Sequence, residues 1–379
     1  MKILYISKSI IPSRSANSIH VMKMCQAFSD NGHQVVLLTP NLKKNYEADV
    51  NDIYKFYGVK KNFNIKKIYH PNFIGGALLY TLGIFIYLLI NRNFDLVYGR
   101  FLHGIFVASL IKNKVIYETH APLDNNKNHK LFVFKNLIKN KNFIKMVVIS
   151  EELKKIYLAK EIISSSKIQV AHDGAEQVKN FENKIDLQGN KENLKVGYVG
   201  HLYKGKGMEV ISAIADKVDQ DVEIHIIGGL EKDLNFWKNK IKKKNIFFYG
   251  FVPHSKVSSY INALDVCLLP NQKIVFAFGS DTSSANINIS DFTSPLKLFE
   301  YMSHKKSIIA SDLPVIREVL NETNSILVKH DDFEMWIKSI KKLKNSQYRE
   351  EISLNALNDF RQYTWINRAS LVLRKLIKY

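Results

Sequence analysis

A chain of 379 residues, 46% of them hydrophobic, holds enough apolar side chain for two sizeable cores, which excludes disorder over most of its length. The 55 basic and 35 acidic residues leave a net charge of +20. The two cysteines, Cys25 and Cys267, lie far apart in apolar runs, which fits a reducing compartment, and no C-x-x-C or H-E-x-x-H spacing points to a metal site. From the start, Lys2 to Ser7 reads as a short buried strand, followed by a Ser/Arg loop rather than a signal peptide. An amphipathic helix is expected from about Ile19 to Asn31, ended by Gly32, and a second buried strand over Gln34 to Thr39. Gly75 to Ile90 is strongly apolar but shorter than the roughly 20 residues that cross a bilayer, so it predicts a buried or interfacial helix. Further strands are expected at Leu96–Tyr98, Lys114–Tyr117 and Met146–Ile149.

The polar run 176–193 reads as a linker, after which the opening pattern repeats: a strand over Leu194–Gly200, a loop, and a helix from about Met208. Strands at Val222–Ile227, Ile246–Tyr249, Val266–Leu269 and Ser307–Ala310 follow, and an apolar stripe of Trp365, Ala369, Val372 and Leu376 marks a basic terminal helix with Thr364 as N-cap. Continuous apolar strands alternating with helices define an α/β chain of two Rossmann-like, doubly wound domains facing a cleft. The expected division is 1–175 for the N-terminal domain, 176–193 for the linker, 194–362 for the C-terminal domain and 363–379 for a helix returning to the first domain.

Three readings of the charge compete. One is a lysine-rich composition with solvated side chains, a second is an anionic membrane surface, and a third is nucleic acid. The spread of the basic residues and the lack of a nucleic-acid motif disfavour the last. Lys43, Lys44, Lys60, Lys61, Lys66 and Lys67 near the Gly75–Ile90 segment favour docking on an anionic membrane.

The stretch from Thr293 to Met302 carries the most chemistry. Ser294 as N-cap and Pro295 at the first helical position announce a helix start, whose N–H groups and partial positive charge suit a diphosphate. Glu300, about two turns on, could accept both hydroxyls of a ribose. Alone, such a helix is usually only a helix. Around it stand Gly200-His201-Leu202-Tyr203-Lys204-Gly205-Lys206-Gly207, Ile226-Ile227-Gly228-Gly229, Asp265 through Pro270, and Ser294-Pro295-Leu296-Lys297-Leu298-Phe299-Glu300, running on to Ser311-Asp312-Leu313-Pro314. On these motifs the second half resembles the family 4 glycosyltransferases (group 1), whose two-Rossmann-domain fold is known as GT-B. Tyr117-Glu118-Thr119-His120 and His172-Asp173-Gly174 extend the resemblance into the first half.

The resemblance implies a hexosyltransferase that retains the anomeric configuration and uses a nucleotide diphosphate-sugar, UDP-sugar by default. No metal or other cofactor is implied. It places Lys206 on the diphosphate, Glu300 on the ribose and His120 near the donor sugar as the catalytic group. Gly200, His201, Lys204, Ser294, Leu296, Lys297 and Leu298 join Glu300 around the nucleotide, with Ser15 and Asn17 in the glycine-free first loop as further phosphate contacts. Two positions depart from the pattern: His201 stands where the family has an Arg, and Phe292 where it has the first of two glutamates seven apart, with Asp291 one residue off. Docking of the basic first domain on an anionic membrane makes the expected acceptor a lipid-linked sugar or growing glycan in cell-surface synthesis, met by a cytoplasmic enzyme on the inner face of the membrane. A sugar-nucleotide 2-epimerase of the same fold and an inactive basic scaffold are the rival readings. An NAD-linked enzyme is disfavoured because neither first-strand loop has G-x-G-x-x-G spacing.

Overall fold

The computed structural model describes all residues except 43–46, 48–49, 112, 124–127, 276–287, 375 and 377–379. Lys43 and Lys44, expected to join a membrane-facing basic group, therefore lie outside the described residues. The chain divides into two compact units, Met1–His172 with Trp365–Tyr379, and Asp173–Thr364.

The first unit is built on seven strands: β1 (Lys2–Ile6), β2 (Gln34–Asn41), β3 (Asn64–Tyr69), β4 (Leu96–Gly99), β5 (Val115–Thr119), β6 (Phe143–Val148) and β7 (Ile168–Val170). They form one parallel sheet in the order β3-β2-β1-β4-β5-β6-β7, so the strand order reverses between β1 and β4. Ile3, Leu4, Tyr5 and Ile6 of β1 are fully buried, as a central strand covered on both faces requires. The first helix runs Ala16–Asp30, three residues earlier than its apolar pattern suggests, because Ser15 caps it by accepting the Ser18 N–H. The terminal helix, Trp365–Leu373, packs against that first helix: Asn31 donates to Ile366 O and Ser370 Oγ, and Trp365, Ala369 and Val372 are buried.

The second unit holds β8 (Leu194–Val199), β9 (Val222–Ile227), β10 (Ile246–Gly250), β11 (Val266–Leu269), β12 (Ser307–Ser311) and β13 (Ile326–Val328), again all parallel, in the order β10-β9-β8-β11-β12-β13. One core packs around Trp336, Trp237 and Ile211, and another around Phe299, Met302 and Ile308. The stretch read as a linker is bound to this unit. Leu187 packs on its core, the Gln188 N–H donates to Tyr249 Oη, and the Asn190 N–H donates to Glu223. Its polar composition reflects an exposed surface path rather than a free tether.

Three strands escape the sequence reading. β7 and β13 have three residues each, and β3 is an edge strand whose Lys66 and Lys67 face solvent. Short or half-wet strands lack the continuous apolar run by which buried parallel strands are found.

Candidate donor site and a buried carboxylate cluster

In doubly wound sheets, ligands bind beyond the carboxyl ends of the strands where the order reverses. In the second unit that point lies between β8 and β11, and the loop leaving β8 begins at Gly200. Gly200 has φ +144°, and a Cβ there would overlap the Lys297 side chain. Glycine is what lets the lysine lie across the end of the strand. Lys297 Nζ stands over the Tyr198 ring at 4.9 Å and donates to its hydroxyl at 3.4 Å, and that hydroxyl donates to His201 O at 2.6 Å.

Lys297 and Glu300 are one turn apart on the helix Leu296–Ser303. The Tyr301 hydroxyl pins this helix to β8 by accepting the Val199 N–H at 2.9 Å. The helix begins one residue later than expected. Pro295 is the N-cap, with no side-chain cap bond, and Ser294 Oγ instead accepts the Asp173 N–H at 3.0 Å. Ser294 is thus a correction: it ties 173–174 to the helix start rather than capping the helix.

The electrostatics of this group are one-sided. Burial pulls the Lys297 ammonium down to about 7, nearby Lys206 pushes the same way, and Glu300 partly opposes them. Burial also brings Lys206, whose Nζ lies 5.5 Å from the Tyr203 ring centre, to about 8. His201 falls to about 4 through burial, then Lys297 and Lys206, so it is a neutral ring at pH 7. The Arg-to-His departure therefore leaves a hydrogen-bonding group where the family pattern has a cation. Lys204, expected around the nucleotide, is exposed, and Lys297 and Lys206 are the cations acting on His201. Glu209, unremarked in the sequence reading, shapes the loop by accepting the Gly205 N–H at 3.0 Å.

Phe292 is buried at 3% exposure and its side chain belongs to the protein interior. Asp291 is exposed and accepts from Asn288 Nδ2 at 3.1 Å and Ser290 Oγ at 3.3 Å. Its carboxylate shapes this turn.

In the first unit, Glu118 on β5 and His120 just past it project to the same side, two residues apart. Glu118 Oε1 lies 2.6 Å from His120 Nε2, 2.9 Å from His20 Nε2 and 2.9 Å from Arg368 Nη2, and the Tyr98 hydroxyl donates to Oε2. Arg368 comes from the terminal helix and also donates to His172 O. Glu118 is fully buried. Burial alone would raise its pKa, but Arg368 and His20 hold it well below the usual carboxylate range. An ionised carboxylate makes His120 Nε2 the donor at their contact. The sequence reading named His120 but missed Glu118 as its orienting partner. Alternation along β5 was the available signal. Ser15 is occupied with helix capping within a hydroxyl cluster of Ser13 and Ser18, and Asn17 is exposed in the first turn.

Two parallel, doubly wound sheets in one chain, with motif residues gathered at the carboxyl end of β8, make up the GT-B fold. Residues 193–346 match the family model described as glycosyl transferases group 1, so this part of the chain is a glycosyltransferase domain of that kind. It is 24% identical to an uncharacterized glycosyltransferase of Methanocaldococcus jannaschii over 96% of this chain and 95% of that one. Among solved structures, Anabaena HepE in complex with UDP is similar, with a TM-score of 0.71, 14% identity and 99% of both chains covered. A lipopolysaccharide outer core galactosyltransferase, WaaB, gives a TM-score of 0.65 at 14% identity, with 98% of both chains covered.

Proposed function

We propose that this glycosyltransferase takes a UDP-sugar and transfers the hexose, with retention of configuration, to a lipid-linked or polysaccharide acceptor of cell-surface glycan synthesis. The observation that carries the reading is the pair of partly desolvated ammonium groups, Lys206 and Lys297, beside a neutral His201, with Glu300 as the carboxylate neighbour of Lys297. Two cations held close together repel, and a diphosphate relieves that repulsion. As the glycosidic bond breaks, the leaving diphosphate gains charge that these fixed ammonium groups stabilise. Glu300 accepts the ribose hydroxyls, and the uncapped start of the Leu296–Ser303 helix faces the phosphates with its N–H groups. His120, oriented by Glu118, hydrogen-bonds the transferred sugar. HepE, similar in fold, was solved with UDP, which supports UDP as the first nucleotide to try.

In this reading the lysines neutralise the diphosphate and no metal is required, so EDTA leaves the rate unchanged. The protein works in the cytoplasm, on the inner face of the membrane. Calorimetric titration of UDP, GDP, ADP and NAD into wild type and Glu300→Ala tests the donor site. Binding of one nucleoside diphosphate that the variant loses supports it, whereas equal binding by both proteins refutes it. Anomeric analysis of the product separates retention from inversion. A product that needs no acceptor would reveal epimerisation instead.

A further inference from the structure

The helix Gly76–Ile90 contains no charged residue, and much of it is uncovered. Leu78, Leu82, Ile86 and Ile90 are exposed, and the turn before the helix presents Phe73 and a fully exposed Ile74. A contiguous apolar surface of this kind on a soluble domain marks an interaction site. At 15 residues the helix is about 22 Å long, too short to cross a hydrocarbon core of about 30 Å. No helix among the described residues is long and apolar enough to cross a membrane. Such a helix can lie in a membrane interface.

The start of this helix sits at the carboxyl end of β1. Tyr80 donates to Ser7 O at 2.6 Å and its ring meets Phe101 at 5.4 Å. Around Phe101 stand a lysine and two imidazoles from three separate elements. Lys8 Nζ is 5.9 Å from the Phe101 ring centre, His103 lies 5.6 Å from that ring, and His129 lies 5.9 Å from His103. Burial, followed by His129, Lys130 and Lys8, lowers the pKa of His103, which marks a local excess of positive charge.

We propose that this end of the first unit binds a phosphorylated lipid. Lys8, His103, His129 and Lys130 receive the phosphate, and Phe73, Ile74 and Leu78 receive the hydrocarbon next to it. The site deepens the lipid-linked acceptor reading above and rests on it. Charge complementarity selects the occupant. A second copy of this +20 chain would set one cation cluster against another, whereas a lipid phosphate supplies both the anion and the apolar chain. Exposed Lys66 and Lys67 lie on β3, against which the helix packs through Gly83 and Ile68.

The test is flotation of the full chain with three vesicle types: phosphatidylcholine alone, phosphatidylcholine with phosphatidylglycerol, and phosphatidylcholine with a polyprenyl phosphate at matched charge. Wild type is expected to float best with the polyprenyl phosphate. The double variant Ile74→Asp/Leu78→Asp should lose flotation with every vesicle. Lys8→Gln/His103→Gln should lose about tenfold with polyprenyl phosphate and keep the weaker phosphatidylglycerol binding. Equal flotation on both anionic vesicles, or no loss in either variant, overturns the site. Saturation of the His103 NMR shift by millimolar inorganic phosphate, with flotation unaffected by Ile74→Asp/Leu78→Asp, would assign the cluster to a free anion and also overturn it. A change of oligomeric state instead of flotation would assign the apolar face to a second copy. UDP titration of the same variants is expected to match wild type, which separates failure here from failure of the donor-site reading.

Discussion

The carboxyl ends of the two sheets handle charge in opposite ways. In the first unit, a fully buried glutamate is matched by Arg368 and two histidines, so its charge is settled within the protein. In the second, Lys206 and Lys297 are drawn together with Glu300 as partial compensation. A balanced cluster holds a side chain in place whether or not a ligand is bound. An unbalanced one is poised for an anion, and its protonation changes when that anion arrives. The difference suits a division in which one unit orients His120 and the other grips a diphosphate.

The largest expected effect comes from breaking the balance in the first unit. Arg368→Met leaves Glu118 charged and buried, which should lower the free energy of unfolding by about 3–5 kcal/mol in urea titrations. Glu118→Gln/Arg368→Met should lose clearly less than the sum of the two single changes. Simple additivity would mean that the pair is not coupled.

In the second unit the same kind of change should act on binding. Lys297→Met is expected to weaken UDP binding by about 100-fold, the scale of one to two charge-assisted hydrogen bonds at about 1.5–3 kcal/mol each. Stability of the unliganded protein should hold or rise. Lost stability with unchanged UDP affinity would make Lys297 a structural cation.

The two ends also predict opposite pH responses. Glu118 titrates well below its ordinary 4.5 when folded, so its stabilisation is complete above about that value and is lost as pH falls towards the folded pKa. Lys297 and Lys206 titrate at about 7 and 8 rather than 10.5, so the unfolded chain binds more protons in that window. Their contribution therefore makes the unliganded protein more stable as pH rises from about 7 towards 10.5. A bound diphosphate keeps the lysines protonated, so UDP binding near pH 8 should take up protons and weaken as pH rises. Calorimetry in two buffers of different ionisation enthalpy measures that uptake, and zero uptake would remove the lysines from the site.

The smallest effect is expected at Asp291. Asp291→Asn should change UDP affinity less than twofold, because that carboxylate is engaged by Asn288 and Ser290. A tenfold loss would give it the role its neighbour Phe292 cannot fill.

Much of this was legible in the sequence for local reasons. Continuous apolar runs revealed the central strands because a strand covered on both faces has no polar side to show. The motif from Ser294 to Glu300 and the loop from Gly200 to Gly207 marked a candidate donor site in the sequence because strand ends and helix starts are set by nearby residues. Tertiary structure decided what depends on distant neighbours. Ser294 gave up its capping role because the Asp173 N–H reaches its hydroxyl. Arg368 meets Glu118 across 250 positions because the terminal helix packs on the first unit. The cationic character of the β8 loop passes from Lys204 to Lys297, which crosses Gly200 from another helix. Burial and the company of other charges set a side chain's chemistry, and both arise from packing between elements that no local pattern records.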